Sequence, residues 1–585
     1  MRNFFSFLMG FSLLSAMAFG QSGSGELNGT ITDASGAAAP GVTVTISNPA
    51  TGLTRVLKTN EQGIYTAPAL NPGVYSIRIE KQGFQSQSRP GIELLTGQAP
   101  SINFTLTVGN VTEVIEVTGS APVLDTETTS VGTVIENKRI VELPLNGRNY
   151  LQLASLIPGA TTNGPASSQG QQRMGGARNS FALNVAGQRV HFNHYALDGM
   201  ENTDPNFNTY LFLPSIDALQ EFKVESGVFG AEYGRGIAQV NVSTKSGGNQ
   251  FHGVAFEFLR NSYFDARNFF ARVNPPFKRN QFGGTFSGPV IIPKLFNGKD
   301  KLFFMFNYEG LRERRSLTQT ATLPDARYRS GNFGFLNRPG GIRDPMNPGQ
   351  VFPNATIPPS RISPISQKVL NDFYPLPNQA GGGALGIANN YLNDEGRRTD
   401  GNQFTTRADW TAIQNQTYFF RFSQTQEPQY IPSAIFNQGN SVSILGQQGV
   451  LGHTMVFGSN KVNEFKFGMN YFNSRNIQQR AFVRNVVGEL GLQGVSQDPL
   501  FWAFPYFKSP GLAMLANATT ARSSTGIQLS NGPTISPGPK VSTTSRSAAN
   551  IGVCVTTRLV PSSRAAALLG MVNIPASRWR ICYSV

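Results

Sequence analysis

The chain has 585 residues, of which 39% are hydrophobic, 14% charged and 43 are Phe, with a formal charge of +15. That length exceeds one compact domain, and no run reaches the roughly 20 apolar residues that a membrane-crossing helix needs. The charge does not mark a nucleic-acid binder: residues 511–585 hold seven Lys and Arg and no acid, which leaves +8 for residues 1–510, and no basic run or basic helix is present.

Residues 1–20 read as a secretory signal. Arg2 opens it, an apolar stretch follows from Phe4 to Phe19, and Ala16, Ala18 and Gly20 supply small residues for cleavage near Ala18 to Gln21. An uncleaved anchor is the alternative. After a Gly/Ser linker, short strands are expected at 27–32, 42–47, 54–59, 74–80 and 102–108, punctuated by Asp33, Gly36, Pro40, Gly41, Asn60, Gly63 and Asn71-Pro72-Gly73. Residues 26–108 therefore predict a small β-sandwich. The stretches Gly29–Gly36, Pro40–Val44, Asn60–Tyr65 and Pro72–Tyr75 resemble the carboxypeptidase-regulatory-like domain. The resemblance implies a transthyretin-like or carbohydrate-binding-like sandwich and no catalysis, because the peptidase of the name-giving enzymes is a separate domain.

Residues 110–135 form a polar connector. Within it Glu113, Val114, Ile115, Glu116, Val117 and Thr118 alternate apolar and acidic, a pattern suited to strand addition at the open edge of a partner sheet. A last strand of the sandwich, or a plain linker, fits the same residues.

Residues 136–248 mix short helical and strand patterns with many Gly and Asn. They hold Leu143–Tyr150 (including Asn146, Gly147, Arg148 and Asn149), Leu197-Asp198-Gly199-Met200, Leu219–Gly227, Ala231–Gly236 (including Tyr233, Gly234, Arg235 and Gly236) and Val240–Gly247. In this order they resemble the plug domain of TonB-dependent outer-membrane receptors. The resemblance makes 113–118 the candidate TonB box, pulled by the inner-membrane energy-transducing complex. Charges enclosed in a barrel are usually paired, so Arg148, Asp198 and Arg235 are expected to hold the plug through breakable salt bridges.

From Phe251 the period becomes two: Val254, Phe256 and Phe258; Leu302, Phe304, Phe306 and Tyr308; Tyr418, Phe420 and Phe422; Phe465, Phe467, Met469 and Tyr471. Seven strands are predicted, near 251–260, 281–290, 301–310, 403–410, 416–424, 451–458 and 463–473. The connections alternate long and short, as outer-membrane barrels require. A plugged barrel needs about 22 strands, so residues 250–510 are expected to be part of one, about 7 strands, in a C-terminally incomplete chain. Residues 511–585 have no Phe, no acid and no alternating pattern, and hold both cysteines, Cys554 and Cys582. They are expected to be out of frame, or a disordered tail.

Little material for catalysis is present. The histidines are His191, His194, His252 and His453, none at zinc-type spacing, and Asp198, Glu201 and Asp204 match no calcium loop. No catalytic residue, metal or cofactor is assigned. The fold class expected is mostly β: a sandwich, an α+β plug and part of a transmembrane antiparallel β-barrel. The resemblance, to the Oar-like group, implies a Gram-negative outer-membrane receptor with a periplasmic N-terminal domain. Its partners would be outer-membrane lipid, a TonB-type complex and a large solute (oligosaccharide, peptide or iron chelate), with a glycan favoured only by fold analogy. A surface or periplasmic carbohydrate-binding or adhesion protein is the alternative. A secreted peptidase would need a catalytic constellation that the sequence lacks.

Overall fold

The computed structural model describes residues 24–109, 114–116, 132–163, 182–189, 192–203, 210–227, 238–267, 269, 274–316, 318–413, 415–457, 461–499 and 522–536, with scattered positions between 502 and 515. The sandwich comprises β1 (Gly25–Asp33), β2 (Thr43–Asn48), β3 (Leu53–Lys58), β4 (Ile64–Leu70), β5 (Gly73–Glu80), β6 (Ser86–Leu94), β7 (Phe104–Leu106) and β8 (Val114–Glu116). Its sheets run β4-β1-β7 and β3-β2-β5-β6-β8. Alternate residues enclose a core that includes Leu27, Ile31, Val44, Ile46, Tyr65, Ile77, Ile79 and Phe104, and the buried Tyr65 hydroxyl donates to the Ile102 carbonyl at 2.7 Å.

Two of these strands, β4 and β6, were not among those expected, because each contains a proline. Pro68 and Pro90 both fall where the strand register shifts, beside Ala69 (φ 56°) and Gly91 (φ 73°). At such a bulge a missing N–H costs no ladder bond.

The plug holds β9 (Gly132–Glu136), β10 (Ala160–Asn163), β11 (Ala182–Val185), β12 (Asn193–Leu197), β13 (Met200–Glu201), β14 (Leu219–Ser226) and β15 (Ala238–Thr244). Five of them form a mixed sheet, β13-β12-β15-β14-β9, in which only β12 and β15 are parallel neighbours. One sheet face carries Tyr195, Leu197, Phe222, Val224, Val240 and Val242 into an apolar core with Ile140, Tyr150 and Leu151. That core continues onto Val442, Ile444 and Phe472 of the barrel wall.

The wall is one antiparallel sheet in the order β16 (His252–Asn261), β17 (Phe277–Pro289), β20 (Leu302–Ser316), β23 (Gly396–Ile413), β24 (Gln416–Ile431), β25 (Asn440–Phe457), β26 (Lys461–Gln478) and β27 (Arg522–Ser536). All seven predicted strands are present. The eighth corrects the reading that strand structure ends at residue 510: β27 pairs with β26 from Val462↔Ser536 to Asn476↔Arg522. Its Ser-, Gly- and Thr-rich sequence carries no aromatic alternation, so main-chain pairing places it without a side-chain signal.

The connections alternate in character. Residues 290–301 close on the small hairpin of β18 (Ile291–Ile292) and β19 (Phe296–Asn297), while β23 ends at Ile413 just before β24 begins at Gln416, and β25 ends at Phe457 just before β26 begins at Lys461. At the opposite end, 318–395 holds β21 (Gln319–Ala321), β22 (Tyr391–Asn393) and a helix over Pro364–Asp372. This segment joins 432–439 and described residues between 479 and 515 in a separate core that includes Leu323, Phe373, Ile435, Val486 and Phe504. The long loops therefore form a cap with its own apolar interior.

Burial on the wall is inverted relative to a water-soluble sheet. Phe306, Phe420, Leu451, Phe467 and Met469 are exposed, whereas Asn307, Glu309, Arg421, Gln448 and Asn470 are buried. That pattern fits a hydrocarbon-facing exterior and a polar interior. The first strand departs from it. Phe256 and Phe258 pair with Gly283 and Gln281, whose next partners are Glu309 and Leu311 on the plug side. On β16 the aromatic set therefore faces inward, and Gly253, Ala255, Glu257 and Leu259 face outward.

Candidate plug and barrel interface

Asp198 and Gly199 are the two loop residues of the β12–β13 hairpin, with Leu197 paired to Met200 and φ of 51° and 75°. Both positive values belong to the tight hairpin turn that Asp-Gly favours. The turn carries the Asp198 carboxylate to the wall. Oδ2 lies 2.6 Å from Nε of Arg421, Oδ1 lies 3.3 Å from Nη1 of Arg407, and Thr244 donates through its backbone N–H and its hydroxyl, each at 2.9 Å. Burial alone would raise the pKa of Asp198, but Arg421, Arg407 and Thr244 outweigh it and hold the carboxyl below its usual range. Arg407 also pairs with Asp409 at 2.8 Å. Arg421, the largest fully buried side chain among the described residues, donates to the Gln448 amide oxygen at 2.5 Å and to the Leu197 carbonyl at 3.3 Å.

Arg148 lies in the turn after Leu145, with φ 54° following Gly147 at 71°. Its guanidinium stacks on the inward rings of Phe256 and Phe258, 4.0 and 4.9 Å from their centroids. It forms a short ion pair with Asp217, and its Nε is 3.7 Å from Glu309 of β20. Burial raises Asp217 against the lowering effect of Arg148. Glu309 in turn accepts from Ser215 at 2.6 Å and from Gln281 at 2.8 Å. Asn149 accepts from the Leu151 N–H and begins the 3₁₀ turn Tyr150–Leu156, while the Asn146 side-chain oxygen accepts from Arg279 of the wall at 3.3 Å.

The carboxylates considered for calcium have other partners. Glu201 contacts His194 Nε2 at 2.7 Å, His194 Nδ1 contacts Gln239 at 2.7 Å, and Asp198 is held by arginine. Among the described residues no cluster has the composition of a metal site. Val114, Ile115 and Glu116 form β8, paired parallel with Ser86, Gln87 and Ser88 of β6. In this arrangement that segment is the last strand of the sandwich, one of the alternatives left open by its sequence. Glu113, Val117, Thr118, His191, Asp204, Tyr233, Gly234, Arg235 and Gly236 lie outside the described residues.

Sequence reasoning did not single out Asp217, Glu309, Arg407 or Arg421. The available signal was a charged residue at an inward position of an otherwise aromatic strand, as with Glu309 and Arg421.

Residues 243–546 match the outer membrane beta barrel domain family, more than half of the 585-residue chain. The chain belongs to this family. Residues 26–107 match the carboxypeptidase regulatory-like domain. Over 326 residues, 53% of this chain and 28% of the relative, the sequence is 28% identical to the TonB-dependent transporter Oar of Myxococcus xanthus. Solved structures similar in part include the outer membrane transporter YddB of Escherichia coli (9% identity, 69% of this chain and 45% of that one, TM-score 0.42). Another is the siderophore receptor PirA of Acinetobacter baumannii (14% identity, 69% and 44%, TM-score 0.37). The chain thus spans less than half the length of these relatives. Family membership places this barrel-family protein in the Gram-negative outer membrane.

Proposed function

We propose that the protein is an outer-membrane receptor that admits a large solute when an energy-transducing complex of the TonB type displaces its plug. The supporting observation is the seat of Asp198. A hairpin tip of the plug is held to the wall by two buried arginines, a directional polar lock that can open into a hydrated lumen and re-form. Stability alone does not call for buried charge here, since well-packed apolar contact of similar volume is often as stabilising. The solute class is an oligosaccharide, a peptide or an iron chelate, with the glycan preferred by analogy to the sandwich fold alone. The partner would capture residues 113–118 by strand addition, after β8 has peeled from β6.

The test is uptake by cells expressing the protein, using a fluorescent panel of oligosaccharides, peptides and ferric chelates, with and without a protonophore. Accumulation of at least one probe that stops with the protonophore supports transport. Probe retained at the surface equally in both conditions would instead favour a binding or adhesion protein.

A further inference from the structure

The sandwich sits on the plug at the end of the barrel that carries the short turns, where β4 also approaches β26, and two of its turns supply hydrogen bonds across the contact. In the 94–98 turn, Thr96 donates its backbone N–H to Glu221 in a short hydrogen bond, its hydroxyl meets Ser243 Oγ at 2.9 Å, and Lys223 Nζ donates to the Gly97 carbonyl at 3.2 Å. In the 48–52 turn, the Ala50 carbonyl accepts from Asn249 N–H at 2.8 Å. Asn249 is tied to Asp300 of a short barrel turn, whose backbone N–H donates to it at 2.8 Å, and Gly52 leaves no room for a side chain beside Asp300.

The chemistry of this contact separates it from the rest of the molecule. Among the described residues the sandwich core and the plug core share no buried residue, and the hydrogen bonds that join the two bodies are polar contacts outside both cores, an interface from which domains readily part. The covered groups are themselves ionisable: Glu221, Lys223 and Glu225 lie on the plug-sheet face opposite its apolar core and are buried. Undocking would return Glu221 and Lys223 to water and recover part of their desolvation cost. The contact is thus stable enough to form and inexpensive to break. The connector between the two bodies includes residues 113–118, so tension there acts on both sides of the contact.

We propose that the N-terminal sandwich is a removable stopper. Docked, it covers the periplasmic face of the plug through its 94–98 and 48–52 turns, and it must part from the plug before anything can leave the barrel. This rests on the transport reading above.

The test uses the full chain with Cys554→Ser and Cys582→Ser, carrying Ser243→Cys as the only thiol, in intact cells exposed to biotin maleimide. Labelling is expected to be slow in this parent and at least about tenfold faster when Thr96→Arg wedges the turn away. A protonophore should slow the parent and leave the wedged variant unchanged. Equal rates in parent and wedged variant overturn the stopper. A parent indifferent to the protonophore, beside a fast wedged variant, upholds the cover and removes the energy-driven reading beneath it. Thr96→Cys paired with Ser243→Cys checks the docked geometry without relying on the wedge. Disulfide formation under mild oxidation is expected, and its failure in folded, membrane-inserted protein also overturns the proposal.

Discussion

Arg421 has no exposed surface and serves four acceptors at once: Asp198, Gln448, Ser423 and the Leu197 carbonyl. Its truncation leaves a buried carboxylate with one cation fewer, a change that typically costs about 3–5 kcal/mol. Arg421→Ala is therefore expected to lower the guanidinium midpoint for loss of plug structure, followed by hydrogen exchange in β12 and β15, while wall strands distant from it hold. An unchanged midpoint would mean that Asp198 is not a lock. The same carboxylate sets a pH dependence. Its folded pKa lies below the ordinary 3.8, so its stabilising contribution is complete above that value and disappears as pH falls through the lower folded one. Plug exchange should accelerate on acidification below about pH 4, and Asp198→Asn should flatten that response. At Arg148 the flat guanidinium matters as much as the charge, because it stacks on two rings while its edge meets two carboxylates. Arg148→Lys keeps the charge but not the stack, and a loss of roughly 1–2 kcal/mol is expected by the same denaturation measurement.

At the level of elements, β16 and β17 are fitted by small residues. A side chain at Gly283 would run into the Tyr308 carbonyl and, at 2.9 Å, the ring of Phe256. Gly283→Val should therefore force β17 from β20 and move Phe256 off Arg148. The expected outcome is loss of the compact, heat-modifiable band on semi-native gels, whereas Ala255→Val, on the outward face of the same hairpin, should retain it. A normal band for Gly283→Val would show that the neighbouring strands give way. The inward turn of Phe256 and Phe258 was not legible from alternation, because period two separates two faces without saying which one meets lipid. Register with β17 settles that question, through pairing of Phe256 with Gly283 and of Gly283 with Glu309. The prolines of β4 and β6 obscured those strands for a related reason: a bulge that spares the proline its ladder bond is set by the partner strand.

Over the whole molecule, three cores are kept apart: one in the sandwich, one shared by plug and wall, and one in the long-loop cap. The sheet between them exposes aromatics and buries polar groups, so the protein is expected to sediment with outer membranes and to resist extraction by alkaline carbonate. Release into the soluble fraction would contradict the inverted burial on which the barrel assignment rests. The sequence by itself determined the sandwich, the seven wall strands and the alternation of connections, because turn chemistry and side-chain periodicity are local properties. Only the tertiary structure decided that Asp198 meets Arg407 and Arg421, that Arg148 stacks on the first wall strand, that β27 extends the sheet, and that the sandwich is seated on Glu221 and Lys223. Each of those contacts joins residues far apart in the chain through the pairing of strands, and a one-residue change of register would turn Arg407, Arg421, Glu221 and Lys223 to the other face of their sheets.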